Sequence, residues 1–224
     1  MVILCDFDDT AADGNVATLL LEAFSKQLLT TIQPQWRDFR QQYVDAEISL
    51  AEYQERAFSG LSATRAEQFA YVQANAKLRH GFPALASYCL TNDIELAIVS
   101  HGLDYYIEAL LEKEHLDHIP IFSVETAMSP AGEATYSYRY TREECPWQPG
   151  NCKCSLLDGY RARGHKVIYA GDGIADTCPG RKADFVFARD RLLRFCQAEG
   201  IPHRELTDFI VLLDYLKEQG KEGS

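Results

Sequence analysis

A chain of 224 residues suffices for one large domain, or for a domain of about 150 residues that carries a smaller inserted unit. With 46% hydrophobic and 25% charged residues and only 14 Gly and 8 Pro, it is able to bury a full core, which excludes disorder for most of its length. The 22 basic against 33 acidic residues give a net charge of −11, which argues against nucleic acid or an anionic membrane as principal partner. No apolar run reaches the roughly 18 residues needed to span a bilayer.

The chain opens Met1-Val2-Ile3-Leu4-Cys5-Asp6, without a basic n-region or a small-residue cleavage site, so its first apolar residues read as structure and a cytoplasmic protein is expected. Val2 to Phe7 is a short apolar run ending in acids, the pattern of a buried parallel strand that delivers side chains at its carboxyl end. From about 14 to 79 there is no convincing strand and several helical stretches follow one another, among them Ser49 to Glu52 and Thr64 to Glu67 with capping-box spacing. Beyond this interval, Ile94 to Val99, Lys166 to Ala170 and Asp184 to Phe187 read as further strands. Segments of helical periodicity at 80–90, 103–113, 154–163 and 174–182 separate or follow them. Ser123 to Asn151, broken by Pro130, Gly132, Pro146, Pro149 and Gly150, reads as a β-excursion and a long loop around the alternation Tyr136 to Tyr140. The tail 217–224 is expected to fray. Strands alternating with helices predict an α/β fold with a Rossmann-like, three-layer parallel-sheet core formed by 1–13 and 80–224, and an inserted helical cap at 14–79. Ligands in such sheets collect at the carboxyl ends of the strands.

Those ends carry the chemistry. Asp6-Phe7-Asp8-Asp9-Thr10 places two carboxylates two residues apart after the first strand, where a loop can bring both to one site. Gly171-Asp172-Gly173-Ile174-Ala175-Asp176 adds two more after another strand, Ser100 a hydroxyl after a third, and Lys153 precedes a helix between them. Each also has an ordinary reading: Thr10 as a loop-closing hydroxyl, Ser100 as the cap of the helix near Gly102, Lys153 as a solvated charge, and His101 as a partly buried histidine or a lining of the substrate cavity.

Taken together, Asp6-x-Asp8-x-Thr10, Ser100, Lys153 and Gly171-Asp172-x-x-x-Asp176 resemble the four motifs of the haloacid dehalogenase-like superfamily, in order and over nearly the whole chain. The helical interval falls where phosphoserine-phosphatase-like members carry their cap. Asn151 to Ser155 and Phe187 to Leu193 are similar to the methionine-salvage phosphatases, and Gly171 to Pro179 to the phosphoethanolamine and phosphocholine phosphatases. His101 stands where the salvage group has glycine. The resemblance implies a Mg²⁺-dependent phosphatase of a small-molecule phosphate ester, working through an aspartyl phosphate as a monomer or homodimer. Phosphoryl transfer to another acceptor, as in a phosphomutase, and a catalytically silent regulatory protein are the alternatives. It casts Asp6, Asp8, Thr10, Ser100 and Lys153 as catalytic, and Ser100, His101, Gly102, Lys153 and Arg56 as substrate-binding. Asp6, Asp8, Asp172 and Asp176 become the metal site, with Asp8 engaged through a nearby backbone carbonyl and Asp176 orienting Lys153 or a metal-bound water.

Seven Cys, an odd number, fit reduced thiols better than a disulfide framework. Cys145, Cys152 and Cys154 have a spacing outside the usual zinc patterns and read as a redox-sensitive or plain reduced loop, with Cys178 near the site. In the helical insert, Arg40, Glu47, Arg56 and Arg79 are the charged candidates for substrate contact.

Overall fold

A computed structural model describes residues 1–25, 35–128, 134–145 and 150–222. In chain order it contains β1 (Val2–Cys5), α1 (Val16–Phe24), α2 (Gln35–Val44), α3 (Leu50–Ser59), α4 (Arg65–Asn75), α5 (Phe82–Thr91), β2 (Glu95–Leu103), α6 (Asp104–Lys113), β3 (Ile121–Met128) and β4 (Ala134–Ser137). There follow α7 (Lys153–Ala162), β5 (Val167–Gly171), α8 (Thr177–Lys182), β6 (Phe185–Ala188), α9 (Asp190–Glu199), β7 (His203–Glu205) and α10 (Phe209–Glu222). The strands form one sheet in the order β4-β3-β2-β1-β5-β6-β7, parallel except for β4, which runs against β3.

The alternation of side chains along each strand builds the three layers. Ile3 and Cys5 of β1, Leu96 and Ile98 of β2, and Ile168 and Ala170 of β5 face a core shared with Phe82 and Leu85 of α5 and Phe209 and Leu212 of α10. Val2, Leu4, Ala97, Val99, Val167 and Tyr169 face the opposite core, with Leu157 of α7 and Leu192 and Cys196 of α9. All four β1 residues are fully buried, and Val2, Ile3 and Leu4 each stabilise the fold by roughly 1.5–3 kcal/mol.

Among the described residues, no helix is long and apolar enough to cross a membrane. Between β1 and α5 the described residues include the helices α1 to α4, and Thr64 and Glu67 cap α4 reciprocally. Ser49 accepts from the Glu52 amide at the start of α3, but Glu52 turns to Arg56 instead of completing the box. Two expectations change. The tail does not fray from 217: α10 continues to Glu222, because Phe209, Leu212, Leu213 and Leu216 form a stripe buried beside α5. The aromatic alternation contributes only Tyr136 and Ser137 to β4, with Tyr138 to Tyr140 outside it.

Candidate active site

Cys5 pairs with Ile98 on one side and with Ala170 on the other, so the chain leaving β1, β2 and β5 arrives at one edge of the sheet. It is also where successive connections diverge to opposite sides of β1, the position at which open α/β sheets leave a crevice. Past β1, Phe7–Ala11 makes a single wide turn in which the Ala11 amide donates to the Asp6 carbonyl (3.2 Å) and the Ala12 amide to that of Phe7 (2.9 Å). Arg79 clamps this turn. Its Nε donates to the Thr10 carbonyl and an Nη to the Asp9 carbonyl, both at 2.9 Å, and it pairs with Asp13 at 3.1 Å.

Lys153, in the first turn of α7, is 4% exposed and extends its ammonium to Asp6 Oδ1 at 2.6 Å and Asp176 Oδ1 at 2.7 Å. Burial alone would lower its pKa, but Asp176 and Asp6 outweigh that and hold it well above the ordinary lysine value, so it is a fixed cation. Asp176 spends both oxygens within the protein. Oδ1 also accepts from the Tyr169 hydroxyl at 2.5 Å, and Oδ2 from the amides of Asp172 (3.1 Å) and Gly173 (2.8 Å). Burial pushes this carboxyl up, yet Lys153, Tyr169 and the amides win and its pKa lies below the usual carboxylate range. Gly171 must be glycine for this arrangement, since a Cβ there would lie 2.7 Å from the Asp176 carboxyl carbon.

Asp6, Asp172 and Asp176 each offer an oxygen within 4.8 Å of the others. Burial and the negative charge of Asp176 raise Asp6 well above its ordinary value and Asp172 to about 6. The site is therefore short of positive charge. The carboxylate of Asp8 stands outside this cluster. Its Oδ1 accepts from the amide of Val16 at 2.7 Å, at the amino end of α1, and its Oδ2 from the Tyr106 hydroxyl at 2.9 Å. Burial dominates these bonds and raises it to about 6.

The structure brings Asp6, Asp8, Thr10, Ser100, Gly102, Lys153, Asp172 and Asp176 into this region. Thr10 is fully buried and donates to Asp172 Oδ1 at 3.0 Å, so its hydroxyl orients a carboxylate. Ser100 lies within β2, which runs on to Leu103, and its Oγ accepts from the Gly102 amide at 2.9 Å; it does not cap α6, whose N-cap is Leu103. A Cβ on Gly102 would meet the Tyr106 hydroxyl at 2.1 Å, so this glycine makes room for the phenol that holds Asp8. His101 lines an adjacent cavity, with its pKa lowered to about 3 by burial and then by Lys153.

Arg56 is not brought to the site. It is exposed on α3, paired with Glu52 at 2.5 Å and lying over Phe39. Arg40 and Glu47 are likewise exposed, and Arg79 serves the loop as described. The polar residue of α3 that is buried is Gln54, 5% exposed, donating to the His101 carbonyl at 2.6 Å. Tyr106 and Gln54 carry no sequence signal because their partners lie 98 and 47 residues away, although Gly102, four residues before Tyr106, leaves a trace; Tyr169 is only seven residues from Asp176, but as an inward residue of β5 it reads as core. The cysteine expectation also changes. Cys154 and Cys178 are bonded as a disulfide instead of standing as reduced thiols.

Tyr106→Phe removes a donor that favours ionised Asp8, so the Asp8 pKa moves further above about 6. The titration midpoint of the Asp8 carboxyl, followed by carbon-13 NMR in labelled protein against wild type, is expected to move upward in pH; an unmoved midpoint contradicts a Tyr106–Asp8 hydrogen bond.

A model of the Putative Phosphatase family matches residues 1–195. The chain belongs to that family. It is 31% identical to the 2-hydroxy-3-keto-5-methylthiopentenyl-1-phosphate phosphatase of Geobacillus kaustophilus, covering 97% of this chain and 96% of the relative. It is 27% identical to the enzyme of the same name from Brevibacillus brevis, over 99% and 97%. Among solved structures, a haloacid dehalogenase family hydrolase from Salmonella enterica superposes with a TM-score of 0.69 at 19% identity, over 95% of this chain and 69% of that one. A phosphoserine phosphatase solved as a phospho-aspartyl intermediate analogue gives 0.64 at 16%, over 96% and 97%. The sheet and its helices are those of the haloacid dehalogenase fold, and the chain is a phosphoric monoester hydrolase.

Proposed function

We propose that the chain hydrolyses a small phosphate monoester in two displacements, with Asp6 as nucleophile, and that the ester is the methionine-salvage compound named for its relatives, 2-hydroxy-3-keto-5-methylthiopentenyl-1-phosphate. The observation that carries this reading is the buried Lys153 ammonium, 2.6 Å from Asp6 and anchored by Asp176. A cation so placed binds the equatorial oxygens of a phosphoryl group beside a carboxylate able to attack it. The aspartyl phosphate divides hydrolysis into two easier steps. Asp8, with its pKa raised to about 6, keeps a protonated fraction near neutrality; it protonates the departing alkoxide and then takes a proton from water. The Ser100 hydroxyl, its oxygen held by the Gly102 amide, donates to the phosphoryl group beside Lys153. The helices of 14–79 close over the leaving group, and Gln54 joins them to the end of β2 at the His101 carbonyl.

The donor set fits Mg²⁺. Asp6 and Asp172 are hard oxygen ligands in a cluster short of positive charge, and Thr10 orients Asp172; Asp176, with its oxygens already engaged, holds Lys153. Bound there, Mg²⁺ offsets the repulsion between a phosphate dianion and the Asp6 carboxylate.

Phosphate release is to be measured on the salvage ester, phosphoethanolamine, phosphocholine and p-nitrophenyl phosphate. The salvage ester is expected to have a kcat/KM at least about tenfold above the others, a difference of about 1.4 kcal/mol. Chelation abolishes activity, Mg²⁺ restores it, and Ca²⁺, which takes more ligands, inhibits. Full activity after exhaustive chelation rejects the metal. A clear preference for phosphocholine rejects the substrate.

A further inference from the structure

Four of the seven cysteines, Cys145, Cys152, Cys154 and Cys178, line a single cavity of about 440 Å³ that also borders Lys153 and His101. The bridge between Cys154 and Cys178 crosses from the first turn of α7 to α8. Its ends are not arbitrary points on those helices. Cys154 directly follows Lys153, and Cys178 lies two residues beyond Asp176, so the disulfide spans the same two segments that the Lys153–Asp176 ion pair joins at 2.7 Å. Cys154 is 5% exposed, whereas Cys178 is exposed. One sulfur is thus open to attack and the other is seated at a helix start.

We propose that Cys154–Cys178 is a reversible thiol–disulfide site for small-molecule thiols, and that its oxidation state sets the position of Lys153. A thiolate attacks Cys178 Sγ in line with the bridge. A new S–S bond forms as the old one breaks, and the electron pair leaves on Cys154 Sγ. The partial positive charge at the amino end of α7 stabilises that departing thiolate before it takes a proton. A second thiol attacks the mixed disulfide and restores the Cys178 thiol. Two small thiols become one disulfide while the protein bridge takes up two electrons and two protons.

Opening the bridge matters because Lys153 has two tasks: it holds Asp6 and Asp176, and in the proposed reaction, on which this effect rests, it also holds the phosphoryl group. With α7 fixed covalently to α8, its backbone stays in place when the substrate draws the ammonium. Once the bridge is open, the first turn of α7 can follow the side chain, and displacements of a fraction of an ångström suffice to slow the chemistry.

Full-length protein purified without reductant, its thiols blocked with iodoacetamide, is to be digested and mapped by mass spectrometry; a linked Cys154–Cys178 peptide is expected. Treatment with dithiothreitol should remove that peptide, lower Tm by at least about 5 °C and reduce kcat about fivefold, with KM changed less than twofold. Reoxidation should restore both. Cys178→Ser should have the reduced kcat without reductant and no response to dithiothreitol, and Cys178→Ala serves if serine disturbs folding. Absence of the linked peptide overturns the proposal. So does a drop in Tm with kcat unchanged, since the bridge is then only a staple. A protein that releases phosphate from no ester tested contradicts the proposed function instead, and the mapping still reports on the bridge.

Discussion

Asp6→Asn is expected to abolish phosphate release, by on the order of 10⁴-fold or more, while Tm stays level or rises by a few degrees. The loss of activity follows from removing the nucleophile with almost no change in volume. The stability follows from charge. Asp6, Asp172 and Asp176 crowd around one ammonium, and burial together with Asp176 raises the Asp6 pKa well above its ordinary value. A carboxyl whose folded pKa is raised contributes most to stability below the unfolded pKa of about 3.9, and that contribution is lost as pH rises through the folded pKa. At neutral pH an ionised Asp6 is therefore a cost, which Asn removes, and Lys153 keeps Asp176 as its partner. Denaturation at pH 7 alongside phosphate release checks both halves. Near-normal turnover ends the mechanism, and a fall in Tm of several degrees ends the electrostatic account.

How far this site could be read from the chain depended on whether its parts were contiguous. Asp6 and Asp8 share one loop and Asp172 and Asp176 another, each following an apolar run, so residue type and position pointed to them before any contact was known. The strands around them were legible for the same reason: β1, β5 and β6 are short apolar runs buried between two helical layers. By contrast, β7 is His203–Glu205, a polar edge strand with no hydrophobic pattern to mark it. Arg56 shows a different failure. The buried residues of α3 are Leu50, Ala51, Gln54, Ala57 and Phe58, a helical stripe that places Arg56 outside and Gln54 inside. That periodicity was available in the sequence, and charge was given more weight than face. The pairing of Cys154 with Cys178 was not available, because their separation of 24 residues carries no information until α7 and α8 are set side by side.

Lys153→Ala is expected to slow phosphoryl transfer by about 10² to 10³ and to destabilise the fold by about 3–5 kcal/mol. The second figure arises because the ammonium and Asp176 are 4% and 1% exposed as side chains, and truncation leaves buried negative charge without its partner. The pH window follows from the directions of the shifts. The Lys153 pKa is raised, so its contribution is complete below the unfolded lysine value of about 10.4 and lost only above it; the Asp176 pKa is lowered, so its contribution is present above about 3.9 and lost as pH falls through the folded value. The stability gap between variant and wild type should thus be widest near neutrality and shrink on acidification. To separate structural from catalytic roles, Lys153→Met is to be combined with Asp176→Asn. Neutralising both members of a buried pair costs far less than removing one, so the double variant should recover most of the lost stability. Its activity should stay low, because nothing then binds the equatorial oxygens during transfer. If turnover returns with stability, Lys153 holds the site together without touching the phosphoryl group.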